Sequence, residues 1–159
     1  MLIIDAANSD YKAVNEKLRN TDEDCTIEGC CGQRFIAAGM SGKNVTIHGI
    51  PGNALGEYQA GGIIIVLGLH KNGKSIVGNF PCTGMHGGKM FLRGDCGNIR
   101  FSEQVTAKTA GDEDLEEIRE YLSEYCADFG YSLDGILSEP FTVITPDSKN
   151  PYKQMYVAN

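Results

Sequence analysis

Residues 68–75 read GLHKNGKS, which has the spacing of a phosphate-binding loop that holds nucleotide phosphates with backbone amides and a lysine. This chemistry requires that Lys74 and Ser75 open a helix, because the N-terminal amides of that helix bind the phosphates. Gly78 and Pro81 follow within six residues of Ser75 and prevent a helix there. The sequence therefore argues against a nucleotide site and favours a hairpin inserted between two repeats.

Thiol and imidazole side chains could supply a metal site or a nucleophile. The candidates are Cys25, Cys30, Cys31, Cys82, His86 and Cys96. No CxxC pair is present, and the adjacent Cys30 and Cys31 are poor ligands for one tetrahedral ion. Cys82 and His86 could form a nucleophile and its base, but no third group that would orient the histidine is recognisable. We predict no catalytic, cofactor-binding or metal-binding residue, and we expect Cys82 to be a small buried thiol.

The composition bounds the class of protein. With 159 residues, 42% of them hydrophobic, the chain is expected to form one domain over residues 1–159. The net charge of −7 and the pI of about 4.9 argue against nucleic acid or an anionic membrane as the main partner. The N-terminus does not resemble a signal peptide, and the longest apolar run, Ile63–Leu67, is too short to span a bilayer. We therefore expect a cytoplasmic protein with reduced cysteines.

A glycine-and-amide pattern, GxxG followed by Gln or Asn, occurs four times along the middle of the chain. The units are Gly29, Gly32 and Gln33; Gly49, Gly52 and Asn53; Gly68, Gly78 and Asn79; and Gly94, Gly97 and Asn98. The first glycines are 20, 19 and 26 residues apart, and the longer unit contains seven extra residues between Gly68 and Gly78. Further glycines recur 26 positions apart: Gly61 and Gly62 match Gly87 and Gly88, whereas Gly56 is matched by Cys82.

This interval predicts a β-solenoid of about four coils, because a repeat of about 20 residues with short β-branched runs suits that fold. Each coil must turn corners at positive φ, which Gly adopts without a Cβ clash and Asn tolerates best among the other residues. Equivalent side chains stack about 4.8 Å apart, so the amides could form a ladder. We interpret the repeated glycines and amides as the structural turns of the solenoid, which spans residues 25–105.

Both ends of the solenoid are predicted to carry capping helices. In residues 1–24, a short strand at 2–4 precedes a helix that Ser9 can cap and that runs to about Arg19. In residues 106–159, the segment from Gly111 to Gly130 predicts a helix with an acidic first turn and a terminal glycine. Its apolar residues at helical spacing are Leu115, Ile118, Leu122, Tyr125 and Phe129.

After this helix, Phe141–Asn159 predicts an extended segment that docks either on this chain or on another.

The strand pattern also predicts an apolar strip on the outside of the solenoid. The alternation in residues 89–93 directs Met90 and Leu92 inward and Phe91 outward, and by register the apolar residues of 63–67 also point outward at alternate positions. Either the C-terminal helix, which we favour, or another protein must cover such a strip. The residues proposed for an interface are Ile63, Ile65, Leu67, Phe91, Tyr152 and Tyr156. Contact between two copies of the chain through this strip is a further alternative.

The stretch GCCGQRFIAAGMSGKNVTIHGIPGNALGEYQAGG, followed by VGNFPCTGMHGGKMFLRG, resembles the C-terminal GXGXG domain of the large (alpha) subunit of glutamate synthase. The resemblance covers roughly Glu28 to Gly97, and the flanks look most like stand-alone relatives of that domain. It implies a right-handed parallel β-helix. More distant relatives are one of the subunits of formylmethanofuran dehydrogenase and one of those of N-methylglutamate synthase.

The resemblance implies a scaffold without catalysis of its own, in a complex whose other parts do the chemistry. The partners would be the glutaminase and synthase subunits of an amidotransferase assembly. FMN and iron–sulfur clusters would belong to those partners, and this chain would bind no cofactor. Membership of a formylmethanofuran dehydrogenase or N-methylglutamate synthase complex is the alternative, and an independent nucleotide-binding or thiol enzyme is a further one.

Overall fold

The computed structural model of the protein describes residues 1–69 and 73–147. Within these residues the elements are, in chain order, β1 (Leu2–Asp5), α1 (Tyr11–Arg19), β2 (Cys25–Glu28), β3 (Asn44–Ile47), β4 (Ala60–Val66), β5 (Gly87–Arg93), β6 (Val105–Thr109), α2 (Asp112–Phe129), α3 (Leu133–Leu137) and β7 (Phe141–Pro146).

The strands form one sheet in the order β1-β2-β3-β4-β5-β7-β6. Strands β1 to β5 pair in parallel with their sequence neighbours, so that Cys25 pairs with Val45, Val45 with Ile64, and Ile64 with Met90. Parallel neighbours joined in sequence order require the chain to complete a turn between successive strands. The protein is therefore a parallel β-solenoid of about four turns, as the repeat predicted.

The interior of the solenoid is filled by alternate residues of the strands, since side chains of a strand point to opposite faces in turn. Ile27, Ile47, Ile64 and Met90 are fully buried in this first core, which also receives side chains from α1. The N-cap of α1 is Asp10, whose Oδ1 accepts the backbone N–H of Ala13 at 2.9 Å. The prediction of Ser9 as the cap was wrong, because the hydroxyl of Ser9 instead donates to the Asp5 carbonyl at 3.1 Å.

A second core lies on the outer face of the sheet. The helix α2 spans the residues between Gly111 and Gly130, as predicted, and Gly130 ends it at a φ of 76°. Strand β7 pairs antiparallel with both β5 and β6, so residues 141–146 dock on this chain. The sequence pattern did not predict β6, α3 or the antiparallel pairing, which close the outer layer. The later part of the predicted extended segment, with Tyr152 and Tyr156, lies outside the described residues.

Candidate functional site

The motif that resembles a phosphate-binding loop lies between β4 and β5. Residues 70–72 of this motif lie outside the described residues. Residues 73–81 contain turns and bends and no helix, and both Lys74 and Ser75 are exposed. Gly68, at a φ of 62°, packs on Ile76, which a Cβ at position 68 would approach to 2.9 Å. The described part of the motif therefore lacks the helical N-terminus that phosphate binding requires.

Cys82 and His86 do not form a nucleophile and base in this structure. The Cys82 thiol is fully buried and donates to the thioether sulfur of Met90 at 3.4 Å. Burial raises the pKa of this thiol from about 9 to about 12, so the nucleophilic thiolate is scarce at neutral pH. His86 contacts the Gly84 carbonyl through Nδ1 at 3.1 Å. Cys82 thus has the environment expected of a small buried thiol.

The remaining cysteines are dispersed. Cys30 is buried, and desolvation raises the pKa of its thiol to about 11, whereas its neighbour Cys31 is exposed. Burial also raises the pKa values of the Cys25 and Cys126 thiols. Within residues 1–69 and 73–147, no group of three or more His, Cys, Asp or Glu side chains could hold a metal ion.

The most regular feature is a set of three stacked corners, here called the corner ladder, which consists of residues 35–39, 54–58 and 80–84. The first, third and fifth residues of each corner have φ values between 58° and 70°. These nine residues are Phe35, Ala37 and Gly39; Ala54, Gly56 and Tyr58; and Phe80, Cys82 and Gly84. Six of them are not glycine, so the expectation that Gly and Asn would supply the positive φ values was wrong here.

Backbone hydrogen bonds between neighbouring coils stabilise the left-handed angles of Phe35, Ala54, Tyr58 and Cys82. This conformation otherwise costs a non-glycine residue about 1–2 kcal/mol. The first residue donates forward, from Phe35 to the Asn53 carbonyl and from Ala54 to the Asn79 carbonyl, both at 2.8 Å. The fifth residue also donates forward, whereas the third donates backward, as Cys82 does to the Leu55 carbonyl at 2.9 Å. Each corner therefore fixes the next one.

Several glycines of the repeat are required by close packing and not by positive φ. A Cβ at Gly52 would lie 2.1 Å from the Gly32 carbonyl oxygen, and one at Gly87 would lie 1.9 Å from that of Ala60. Both glycines have ordinary φ values. Sequence periodicity located these positions, but it attributed them to the wrong physical cause.

The repeated amides contact backbone and do not form a ladder with one another. Asn53 Oδ1 accepts the backbone N–H of Asn79 at 2.7 Å, which joins two successive coils. Gln33 instead accepts the N–H of Cys31 and donates to the Ala6 carbonyl, both at 2.7 Å.

One end of the corner ladder is closed by a side chain of α1. Asn15, only 7% exposed, accepts the N–H of Ala37 at 2.8 Å and donates to the Phe35 carbonyl at 2.7 Å. The side-chain oxygen of Asn15 therefore accepts the Ala37 N–H in place of the carbonyl that a preceding corner would offer. The sequence patterns assigned no role to Asn15, whose position in α1, between apolar residues of one helical face, is the signal that could have revealed it.

The outward apolar strip is covered within the chain by the second core. Ile65, Leu67 and Phe91 are buried there beside α2 and β7, and Ile63 is partly buried. Two basic side chains of β5 bind the helices that cover the strip. Lys89 pairs with Glu117 of α2 at 2.6 Å, and Arg93 donates to the Ile136 carbonyl of α3 at 2.8 Å. This part of the surface is therefore not open to a partner.

His48 joins the solenoid to α2, although no sequence pattern gave it a role. The Tyr125 hydroxyl bonds to His48 Nδ1, and the Tyr131 hydroxyl lies 3.4 Å from Nε2. Tyr125 is 1% exposed, and burial raises the pKa of its hydroxyl. His48 follows β3 on the outward face, and this register against an apolar helix could have indicated its contact with α2.

Comparison with known proteins identifies the repeat. Residues 19–146 match the family model described as the GXGXG motif. The chain belongs to the GXGXG-motif family. The matched segment contains β2 to β7, so the family relationship applies to the solenoid from β2 onward and to its outer layer.

Relatives of this GXGXG-motif protein include an uncharacterized protein of Methanocaldococcus jannaschii, 37% identical over 108 residues that cover 64% of this chain and 41% of that protein. The chloroplastic ferredoxin-dependent glutamate synthase of Spinacia oleracea is 29% identical over 106 residues, covering 64% of this chain and 6% of the enzyme. The enzyme of Oryza sativa subsp. japonica is 30% identical over 105 residues, again 6% of its length. The chain thus spans less than half of the first relative and a small part of the enzymes.

No helix within the described residues is long and apolar enough to cross a membrane.

Proposed function

We propose that this chain is a non-catalytic β-helix subunit, or domain homologue, that acts as a scaffold in a glutamate-synthase-like complex. The observation that carries the proposal is that the similarity to ferredoxin-dependent glutamate synthases involves 106 residues, only 6% of the spinach enzyme. A segment of this size is enough for a solenoid of this kind. The catalytic parts of such an enzyme would then lie in other chains of the assembly.

The buried cysteine thiols and the closely packed glycines support a structural role. The Cys82 thiol packs against Met90 inside the solenoid, and the glycines allow backbones to approach closely. Catalysis would need a nucleophile or base with a matched pKa at an accessible place, and burial moves the Cys82 and Cys30 thiols away from that condition.

The proposed partners are a glutaminase chain and a synthase chain, which would carry FMN and iron–sulfur clusters. The protein would act in glutamate biosynthesis in the cytoplasm. With a net charge of −7, it is not expected to bind nucleic acid or an anionic membrane.

Purification of the tagged chain from its native host at low salt, with mass spectrometry of the retained chains, tests this proposal. Recovery of glutaminase and flavin or iron–sulfur synthase chains is expected. Molybdenum or tungsten subunits would instead assign the chain to a formylmethanofuran dehydrogenase complex, and N-methylglutamate synthase subunits to that enzyme. Recovery of the chain alone would contradict the scaffold function.

The competing nucleotide-binding function is tested by Lys74→Ala. Lys74 is exposed, so its removal should leave both folding and partner retention unchanged. Equilibrium dialysis with ATP should detect no binding by either form. ATP binding that Lys74→Ala abolishes would overturn the scaffold proposal in favour of a nucleotide-binding protein.

A further inference from the structure

The corner ladder is closed at one end and open at the other. Its last corner, residues 80–84, presents the backbone N–H groups of Phe80 and Gly84 and the carbonyl of Pro81. None of these three groups has a hydrogen-bond partner within the described residues. The equivalent groups of the earlier corners are paired, such as Ala54 N–H with the Asn79 carbonyl and Tyr58 N–H with the Thr83 carbonyl, both at 2.8 Å.

A groove of about 610 Å³ lies beside these unpaired groups. One wall contains Phe80 and Thr83 of the last corner with the preceding Asn79, and the other is formed by residues 98–102. The Phe80 ring is 72% exposed, the largest exposed fraction among the big apolar side chains described. Unpaired backbone groups beside exposed apolar surface are what an added extended segment recognises.

The opposite end shows how such groups are satisfied. There the Asn15 amide supplies one acceptor, to Ala37 N–H, and one donor, to the Phe35 carbonyl. The open end offers two donors and one acceptor, which a peptide backbone can pair with because it carries both kinds of group.

The charge of the groove limits its occupant. Among the described residues that line it, Arg100 is the one formally charged side chain, in a chain whose net charge is −7. Residues 148–159 contain Lys149 and Lys153 and no Asp or Glu, so their charge does not complement Arg100. In a two-fold symmetric contact, a second copy would bring the same arginine. An acidic segment of a different chain fits best.

We propose that this groove binds an extended, carboxylate-bearing segment of a partner chain, which adds one more layer to the corner ladder and pairs with Arg100. The inference rests on the proposed scaffold function, because it names the surface through which the scaffold holds a subunit. Apolar contact would come from Phe80, and register would be set by the backbone groups at positions 80, 81 and 84.

Amide hydrogen exchange on the full chain tests whether a layer is added. In the chain alone, the Phe80 and Gly84 amides should exchange at least about tenfold faster than the matched Ala54 and Tyr58 amides, because only the latter are hydrogen-bonded. In the co-purified complex, exchange of the Phe80 and Gly84 amides should slow by at least about tenfold. Unchanged exchange at Phe80 and Gly84 in the complex would overturn the inference.

Photo-crosslinking identifies the occupant. The crosslinker p-benzoylphenylalanine placed at position 80 should join to a partner peptide that contains Asp or Glu, and the same group at the exposed Ile3 should not. Arg100→Glu should weaken partner retention about tenfold, whereas Arg119→Glu, with the same change in charge on α2, should leave it unchanged.

The outcomes separate the two proposals. A crosslink to residues 148–159 or to a second copy would overturn the inference and name the other occupant. A partner that is retained without crosslinking at position 80 would place the scaffold contact elsewhere and leave the proposed function standing. If no partner is recovered, the scaffold function fails, and the groove assignment fails with it.

Discussion

The side-chain oxygen of Asn15 accepts a hydrogen bond from the backbone N–H of Ala37, 22 residues later, at 2.8 Å. Ala37 is the central residue of the first corner and has a φ of 58°. A helix side chain thus replaces the coil that would otherwise precede this corner. The link makes α1 part of the ladder and not merely a cover for the apolar interior.

We expect Asn15→Ala to destabilise the protein by about 1–3 kcal/mol, because it leaves the buried N–H of Ala37 unpaired and removes one of the two hydrogen bonds to the Phe35 carbonyl. Urea unfolding followed by circular dichroism measures this change. Asn20→Ala is the matched control, since Asn20 is an exposed residue at the end of the same helix and should cost far less. Equal losses for the two variants would show that the Asn15 bonds contribute little.

Gly87→Ala should destabilise the fold by about 3 kcal/mol, because the new Cβ would lie 1.9 Å from the Ala60 carbonyl oxygen and force neighbouring coils apart. Gly42→Ala provides the control, since Gly42 has an ordinary φ and a Cβ added there would meet no atom within 4 Å. We expect that change to stay within about 0.5 kcal/mol of the parent. Thermal unfolding of both variants distinguishes close packing from a general cost of losing glycine.

Cys31 should be the thiol that reacts rapidly with a disulfide reagent at pH 7, because it is exposed whereas the other five cysteines are buried. Cys82 should react only after denaturation, since burial raises its pKa to about 12. Counting of released thiolate with and without denaturant measures this difference. A fast phase that persists in Cys31→Ser would contradict this prediction, because at least one of the five buried thiols would then be accessible.

The stability of the protein should fall as the pH rises above about 9, in part because of Cys82. The folded state keeps the Cys82 proton up to about pH 12, whereas the unfolded chain loses it near pH 9. The contribution is fully present below pH 9 and is lost towards pH 12, by roughly 1.4 kcal/mol per pH unit. Urea unfolding at pH 8 and pH 10 should show a smaller loss for Cys82→Ala than for the parent. Cys31→Ala, at an exposed position, should show the same decrease in the free energy of unfolding between pH 8 and pH 10 as the parent.

Tyr125→Phe should cost about 1 kcal/mol, because it removes the hydrogen bond between the Tyr125 hydroxyl and His48. Tyr121→Phe is the control, since the Tyr121 hydroxyl has no hydrogen bond within the described residues. Native-state hydrogen exchange in α2 should increase in Tyr125→Phe and not in Tyr121→Phe. Equal behaviour of the two variants would remove His48 as the link between helix and solenoid.

The sequence was sufficient to predict the solenoid and its main helix. The glycine interval reflects contact between successive coils, a constraint repeated at every turn, and the register of Val45, Ile64 and Met90 follows from it. The helix that ends at Gly130 was also predictable from the sequence, because its apolar spacing, acidic first turn and terminal glycine are local signals.

The tertiary structure decided which residues hold the coils together and which surface stays open. Phe35, Ala54 and Cys82 adopt left-handed angles that hydrogen bonds to neighbouring coils stabilise, and no local sequence pattern indicates such bonds. Strand β7 pairs with β5 although 47 residues, 94–140, separate the two strands, because an antiparallel partner for the last coil must return from far along the chain. The sequence by itself determined the period of the fold, whereas the closure by Asn15 and the open corner at Phe80 depend on contacts between segments distant in sequence.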